Sequence, residues 1–374
     1  MSIDRAALAR GLGQGLWVDR VSRAQLESGE LRRRIVAGAI GGVTSDLSAL
    51  RRAIESGAGC DAAIAALAAA GADPGSILRR LAVEDARHAA DLLRPAWERT
   101  QGRDGWVAVG LAAPAGEDEA ATVVEGRRRH KECGRPNVMV QVPGTDAGLA
   151  AFRRLAEEGV SVAVTRLGSL ARCEAAAQAW IAALRARIRR GFAAHTVASV
   201  ASFSVSRLDA AVDAQLDREA AEASDPAARA GRIALRGRAA IAAARVAYAR
   251  FRELFGRAFD DCRAKGGRVQ RLLWDSSDDA DPAAALRRVE SLIGADTVHA
   301  MAPSTLDRYL EHGNVRTATL LERPDEALET LRSLADRGID LESIGARLAA
   351  GGVAEAARDH GAALAAISAR AAAR

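Results

Sequence analysis

The chain has 374 residues, of which 49% are hydrophobic and 27% are charged. This balance excludes a disordered chain and allows a large buried core. The net charge of +5 raises the question of nucleic-acid binding, but the arginines are spread along helix-like stretches and interleaved with acids. No recognisable nucleic-acid module accompanies them, so we expect no nucleic-acid partner.

Short, β-branched segments alternate with longer helical patterns along the whole chain. Most are continuously apolar at their centres, which is typical of strands buried on both faces of a parallel sheet. Eight such strands with intervening helices predict a closed (β/α)₈ barrel of the TIM type. The predicted strands are Leu16–Val21, Gly41–Asp46, Val107–Ala112, Val138–Pro143, Val160–Arg166, Val197–Val205, Arg268–Ser276 and Asp296–Ala302.

Helices beyond those of a simple (β/α)₈ barrel are predicted in three places. Helical insertions are predicted at about 47–100 and 208–264, and an all-helical tail at 324–374. Asp225-Pro226 predicts a helix start, with Asp as the N-cap and Pro at the first helical position. No linker justifies a second domain, so residues 1–374 are expected to form one barrel domain.

Several features bear on location and cofactors. No signal-peptide core or membrane-length apolar stretch is present, so a cytoplasmic protein with no membrane association is expected. Cys60, Cys133, Cys173 and Cys262 are widely spaced and predict reduced structural thiols. The histidines make no metal-ligand spacing, so no metal or other cofactor is expected. The basic run 127–131 is interpreted as a solvated helix end.

Chemistry in such barrels lies at the C-terminal ends of the strands. The polar residues at those ends predict a pocket for a small-molecule substrate. They are Asp19, Ser45, Asp46, Gln141, Thr165, Arg166, Ser202, Ser204, Arg207, Asp275, Ser276 and His299. Most of the ring is uncharged or acidic.

Four segments make the chain similar to the transaldolases, most of all to the long actinobacterial type. They are Gly42–Asp46 (GVTSD), Leu81–Asp85 (LAVED), Ser199–Asp213 (SVASFSVSRLDAAVD) and Gln270–Trp274 (QRLLW). The resemblance covers nearly the whole chain. It implies that five functional residues of the family are kept here, as Asp19, Thr165, Ser202, Arg207 and Ser276. In the family, the residues that match Ser202 and Arg207 bind the substrate and its phosphate.

The same resemblance identifies departures at the chemical positions. The family's Schiff-base lysine matches Gln141, and the chain contains only two lysines, Lys131 and Lys265. The other departures are Gly110 for a glutamate, Asp46 for an asparagine, Leu47 for a proline, Ala163 for an asparagine, Ala280 for a basic residue and His299 for an asparagine.

These changes have three consequences. Imine catalysis needs an amine nucleophile, which a glutamine cannot supply. Gly110 removes half of the acid/base pair. A phosphate at the strand-7 loop would meet Asp275, Asp278 and Asp279, so a neutral polyol or an amine-bearing ligand is favoured.

The individual residues have open interpretations. Gln141 either takes part in catalysis or fills the interior by bonding to Asp19 or Thr165. Asp46 either forms a coupled carboxylate pair with Asp19 or faces solvent. Arg207 either holds an anion or pairs with a following acid, Asp209 or Asp213. His299 is either a titratable group near the mouth or structural.

The sequence leaves three candidate functions. The first is a repurposed enzyme for lysine-independent carbonyl chemistry, plausible in specialised metabolism. There Asp19 or Asp46 is the acid/base, and Gln141, Thr165 and Ser202 position the carbonyl oxygen. Small residues at 110, 163 and 168 predict an enlarged mouth and a substrate bulkier than three carbons. The second is an inactive homologue that binds a ligand or partner, and the third is a transaldolase using another nucleophile. A homodimer is compatible with the sequence.

Overall fold

The computed structural model describes residues 4–45, 47–57, 59–111, 117–276 and 281–372. Eight parallel strands form a closed barrel in chain order, with β1 paired to both β2 and β8. They are β1 (Gln14–Val18), β2 (Gly42–Ser45), β3 (Trp106–Val109), β4 (Val138–Pro143), β5 (Val162–Leu167), β6 (Ser199–Ser204), β7 (Arg271–Asp275) and β8 (Thr297–Met301). The predicted (β/α)₈ barrel is confirmed.

Seventeen helices occur in the described part of the chain. They are α1 (Arg5–Gly11), α2 (Arg23–Glu27), α3 (Glu30–Val36), α4 (Leu47–Ser56), α5 (Asp61–Ala69), α6 (Pro74–Arg99), α7 (Glu119–Cys133), α8 (Asp146–Glu158), α9 (Leu170–Arg189), α10 (Val205–Glu222), α11 (Pro226–Ile233), α12 (Ala239–Leu254), α13 (Asp260–Arg263), α14 (Pro282–Ser291), α15 (Pro303–His312), α16 (Pro324–Ala335) and α17 (Leu341–Ala372). Helices α4–α6 fall where the first insertion was predicted, and α16 and α17 form the predicted helical tail.

The predicted strands mostly extend beyond the observed ones by one to four residues. Where Val107–Ala112 was predicted, the observed strand runs from Trp106 to Val109. The predicted end at Ala112 lies outside the described residues. The predicted cap at Asp225 is confirmed, because its carboxylate accepts hydrogen bonds from the Ala227 and Ala228 amides as α11 begins.

Alternation along each strand divides the side chains between the barrel interior and the helix layer. The interior cluster includes the large side chains of Trp17 and Trp106, which lie beside the loops that precede β3, β7 and β8. It also includes the small side chains of Ala108 and Ala163, which line the cavity at the C-terminal mouth. Large side chains therefore fill the end of the interior opposite the mouth, and small ones lie at the mouth.

Helix α17 joins the tail to the first insertion. Its C-terminal half contributes Ala363 and Ile367 to an apolar cluster with residues of α4, α5 and α6, including Ile54 and Ile77. Nearer its start, its backbone lies against the end of β5: a Cβ added at Gly168 would lie 2.8 Å from the Gly345 Cα. Since neither position has a side chain, α17 can lie directly over that edge of the barrel.

The basic run 127–131 at the end of α7 was interpreted as a solvated helix end, and one of its residues does not fit that interpretation. Lys131 is exposed in the last turn of α7, as a solvated helix end requires. Arg129, however, is only 1% exposed, and burial lowers the pKa of its guanidinium. The four cysteines are buried and form no disulfide. Within the described ranges, no helix combines the length and apolar character needed to cross a bilayer.

One carboxylate outside the mouth gives a pH prediction. Asp85 on α6 lies 2.8 Å from Arg23 on α2, with only 14% of its side chain exposed. Burial raises the pKa of Asp85 to about 6, although Arg23 opposes the shift. The pKa of an aspartate in the unfolded chain is near 4. At pH values between that pKa and the folded-state pKa of about 6, the folded state therefore binds more protons than the unfolded state. This group's contribution to stability is present at low pH and is lost as pH rises through that window.

We predict that Asp85→Asn removes this part of the pH dependence. The difference in melting temperature between wild type and variant should change between pH 4.5 and 7.5, with the variant gaining relative stability at the higher pH. The exposed Asp336→Asn is the matched control and should track wild type. A wild-type-minus-Asp85→Asn difference that is flat with pH would contradict the assignment.

Candidate active site

The C-terminal mouth of the barrel holds a polar cavity of ≈ 80 Å³. An adjoining cavity of ≈ 90 Å³ lies towards α17 and shares Gln141, Thr165 and Arg166 with the first. The central cavity is lined by residues from seven of the eight strands or the turns that follow them. They are Asp19, Arg20, Thr44, Ala108, Gln141, Ala163, Thr165, Arg166, Val200, Ser202, Ser204, Arg207, Leu273 and Asp275.

Asp19 is held at the mouth by its neighbours on β1 and β2. Thr44 donates a short hydrogen bond to one Asp19 oxygen, and Arg20 lies 3.3 Å from the other. Arg20 has a left-handed backbone (φ +54°), and its amide donates to the Thr44 hydroxyl at 2.9 Å. Asp19 is therefore a fixed carboxylate with 12% of its side chain exposed. Sequence reasoning missed Thr44, although its inward position follows from strand alternation.

Gln141 lies in the wall shared by both cavities, and its contacts differ from those expected. Its amide nitrogen donates to the Ala108 carbonyl at 3.0 Å and lies 3.5 Å from the Ser45 carbonyl. The expected bonds to Asp19 or Thr165 are not the ones formed. Because the donor end faces the main chain of β2 and β3, the amide oxygen is the end left to meet a ligand.

Three hydroxyl groups complete the polar wall. Thr165 donates to the Val142 carbonyl at 3.3 Å. Ser202 and Ser204 both point into the cavity from β6. Neither serine hydroxyl forms a hydrogen bond with any residue the structure describes. Both can therefore donate to a ligand oxygen.

Arg166 is directed across the mouth by an irregularity in β5. The register with β6 shifts between Val164 and Leu167, and Arg166 has a left-handed backbone (φ +61°). Bulges of this kind redirect side chains at barrel rims. The Arg166 guanidinium reaches Glu355 on α17 at 3.3 Å and packs where Gly352 has no side chain.

Glu355 also accepts a hydrogen bond from Arg207 at 2.9 Å. Burial alone would raise the pKa of Glu355, but the bond from Arg207 and the charges of both arginines hold it below its usual value. Glu355 is therefore ionised at neutral pH. Neither Asp209 nor Asp213, the partners considered for Arg207, fills this position: Asp209 pairs with Arg288 at 2.8 Å, and Asp213 accepts from the Gly237 amide.

The described charges around the central cavity balance, and Asp359, which lines the adjoining cavity, is paired with Arg51 at 2.9 Å. Three guanidinium groups belong to Arg20, Arg166 and Arg207, and three carboxylates to Asp19, Asp275 and Glu355. Nothing in the sequence signalled Glu355, because it lies 148 residues from Arg207 in a helical tail.

Of the three small residues expected to enlarge the mouth, Ala163 lines the central cavity and Gly110 the adjoining one, but Gly168 lines neither. Gly168 lies against the Gly345 backbone, so the small residue there admits α17 and adds no space for a ligand. A central cavity of ≈ 80 Å³ has room for only a few water molecules. That space suits a compact ligand.

Ser276 and His299 lie elsewhere than predicted. The His299 side chain is fully buried and points away from the interior, between the neighbouring interior residues Val298 and Ala300 of β8. Its Nε2 lies 2.8 Å from the Ser276 hydroxyl, which is also buried. Burial, with a smaller effect of Arg288, lowers the pKa of His299 to about 3. The two side chains form a neutral pair outside the barrel interior, and neither lines the mouth.

The remaining sequence-based candidates divide into two groups. Asp46, Asp278, Asp279 and Ala280 lie outside the described residues. Ser45 contributes its backbone carbonyl, which accepts from Gly110 at 3.0 Å. Both lysines are exposed away from the mouth, Lys131 on α7 and Lys265 ahead of β7. Over the described ranges, no group of three His, Cys, Asp or Glu side chains is arranged to hold a metal.

Comparison with known proteins agrees with this architecture. The family model described as "Transaldolase/Fructose-6-phosphate aldolase" matches residues 16–367. A transaldolase of Thiobacillus denitrificans is 37% identical over 91% of this chain and 93% of its own length. One of Saccharopolyspora erythraea is 37% identical over 91% and 90%, and one of Trichodesmium erythraeum is 34% identical over 91% of each chain. The chain therefore belongs to the transaldolase/fructose-6-phosphate aldolase family.

Proposed function

We propose that this family member catalyses carbonyl chemistry without a lysine imine, on a small substrate that carries no phosphate. The reaction class is carbon–carbon bond formation or cleavage, condensation or isomerisation next to a carbonyl. The observation that carries the proposal is Gln141, whose amide occupies the wall of the polar mouth. An amide nitrogen is not a nucleophile, and both lysines are exposed outside the mouth.

The described side chains supply the groups that such chemistry needs. Asp19, fixed by Thr44 and Arg20, is the proposed acid/base that accepts or returns a proton at the substrate. The hydroxyls of Ser202 and Ser204 are the proposed donors to the carbonyl oxygen. Gln141 and Thr165 then accept from substrate hydroxyl groups, since their donors already face main-chain carbonyls.

The charged side chains at the mouth support the proposal that the substrate carries no phosphate. The two arginines best placed for an anion, Arg166 and Arg207, already share the Glu355 carboxylate. A phosphate would have to displace Glu355 or lie beside it, and like charges at such distances repel strongly in a partly buried site. A neutral or amine-bearing ligand meets no such cost.

The narrow cavity favours a second candidate, a family member that binds a ligand or partner without catalysis. With Glu355 bound to both arginines and α17 lying against β5, the mouth is partly closed by the protein's own side chains. The two candidates differ in whether a bound small molecule is turned over.

Asp19→Asn tests the catalytic proposal. A thermal-shift screen of uncharged C2–C4 aldehydes, ketones, polyols and amino derivatives should find a ligand that stabilises the protein, and NMR should show its conversion. Because general acid/base groups contribute about 10²–10⁴-fold, Asp19→Asn should lower kcat at least 100-fold with little change in melting temperature. The exposed Asp336→Asn should retain wild-type turnover.

Unchanged turnover in Asp19→Asn would remove Asp19 from the mechanism. A stabilising ligand with no turnover, or a partner that co-purifies in fixed stoichiometry, would favour the non-catalytic candidate.

Glu355→Gln tests the charge argument. Removing the carboxylate takes away the anion that Arg166 and Arg207 share, and guanidinium–phosphate hydrogen bonds are strong. We predict that dihydroxyacetone binds wild type more tightly than dihydroxyacetone phosphate does. In Glu355→Gln the affinity ratio should shift by about tenfold, or about 1.4 kcal/mol, towards the phosphate.

The exposed Glu329→Gln removes the same charge elsewhere and should leave the ratio unchanged in calorimetric titrations. Tighter binding of the phosphorylated ligand by wild type would refute the argument.

A further inference from the structure

Another cavity lies outside the barrel, within the helix layer. It has a volume of ≈ 380 Å³ and is bounded by the segment before α12, the first turns of α12, α14 and the start of α16. This volume falls within the range of about 300–1,000 Å³ that small-molecule sites occupy. None of its lining residues belongs to the mouth.

The charge of this cavity is strongly unbalanced. Its lining contains five arginines and one carboxylate: Arg236, Arg238, Arg245, Arg287, Arg323 and Glu326. Glu326 is shared, since it pairs with Arg238 and lies 3.3 Å from Arg323. One carboxylate cannot neutralise both, and of the other three arginines only Arg236 has a described carboxylate partner, Asp217 at 3.3 Å. A concave surface of one sign concentrates the field of its charges and attracts ligands of the opposite sign.

Two of the arginines have no counter-ion of their own. Among the described residues, neither Arg245 nor Arg287 forms a hydrogen bond or an ion pair. The Arg245 Nε is buried without a partner. Burial lowers the pKa of Arg245, against the opposing influence of Glu322 and Glu326. A guanidinium nitrogen that is buried without a partner costs free energy, and an anion that bonds to the same guanidinium offsets that cost.

The start of helix α12, which begins at Ala239 beside the cavity, is capped from α10. The Asp209 carboxylate accepts from the Ala240 amide at 2.8 Å, and the Asp213 carboxylate accepts from the Gly237 amide at 2.9 Å. The positive field of the cavity therefore comes from its arginine side chains. Gly237, with a left-handed backbone, leaves space that the Arg287 guanidinium approaches: its Nη2 would lie 2.9 Å from an added Cβ. Arg287 therefore reaches from α14 to the start of α12.

We propose that this cavity binds a compact polyvalent anion, a small molecule with at least two phosphate or carboxylate groups. Arg245 and Arg287 form its primary contacts, and Arg238 and Arg323 are drawn from their shared Glu326 towards the second anionic group. The mouth and this cavity thus favour different ligands. The described charges around the mouth balance, whereas those of the cavity are mostly positive and favour an anion.

Isothermal titration with inorganic pyrophosphate and with citrate, at fixed ionic strength, tests the proposal and distinguishes phosphate from carboxylate recognition. Wild type should bind at least one of them at one site per chain. Arg245→Met/Arg287→Gln should weaken that binding at least tenfold. The double variant Arg80→Gln/Arg99→Gln, on α6, removes the same charge and should change it less than twofold. Arg207→Met, at the mouth, should leave it unchanged.

Absence of binding by wild type, or equal weakening in the two double variants, would overturn the proposal. Loss of binding in Arg207→Met would place the anion in the mouth and overturn it as well. Because Arg245 is partly buried, the double variant could lose binding by misfolding. The single variant Arg287→Gln, at an exposed position, separates loss of the site from loss of the fold. It should weaken binding about threefold at an unchanged melting temperature, and unchanged binding in that variant also counts against the site.

Discussion

The contact of Glu355 with Arg166 and Arg207 sets both the charge and the width of the mouth. It joins the end of β5, the start of α10 and the tail helix α17. Without this carboxylate, Arg166 and Arg207 would lose the anion they share beside a polar cavity, and an anionic ligand would be favoured there. With it, the described charges balance and the helix lies against the barrel rim.

Two local features make that contact possible. The β5 irregularity gives Arg166 its left-handed backbone and directs its side chain outward along the mouth. Glycines at 168, 345 and 352 let the helix approach, because a Cβ at any of them would meet backbone or the Arg166 side chain. The far half of α17 is held by the apolar cluster with the first insertion. The insertion and the tail therefore act together to position one carboxylate.

The barrel could be predicted from sequence because eight apolar, β-branched segments alternate with helical ones, and few other folds accept that pattern. Reading polar residues at strand ends also found most of the mouth. It failed where alternation was ignored: Thr44 points inward and was missed, whereas Ser276 and His299 point away and were included. Applying the two-residue period to each strand would have corrected all three.

Other features could not have been read from the sequence. Glu355 reaches the mouth through tertiary packing of a tail with no strand register to place it. Gly168 looked like added space because its partner, Gly345, is 177 residues away in sequence. The unbalanced cavity likewise gathers arginines from three separate segments, which in sequence resemble the many other exposed arginines of the chain. Long-range packing, more than local pattern, determines where these charges meet.

The central claim is that this family member does not work through a lysine imine. The most direct measurement is intact-protein mass spectrometry after incubation with dihydroxyacetone and sodium borohydride, with a lysine-dependent transaldolase as the positive control. We predict that the control gains the mass of a reduced adduct and that this protein keeps its original mass. A stoichiometric adduct on this chain, mapped by peptide analysis to Lys131 or Lys265, would contradict the account.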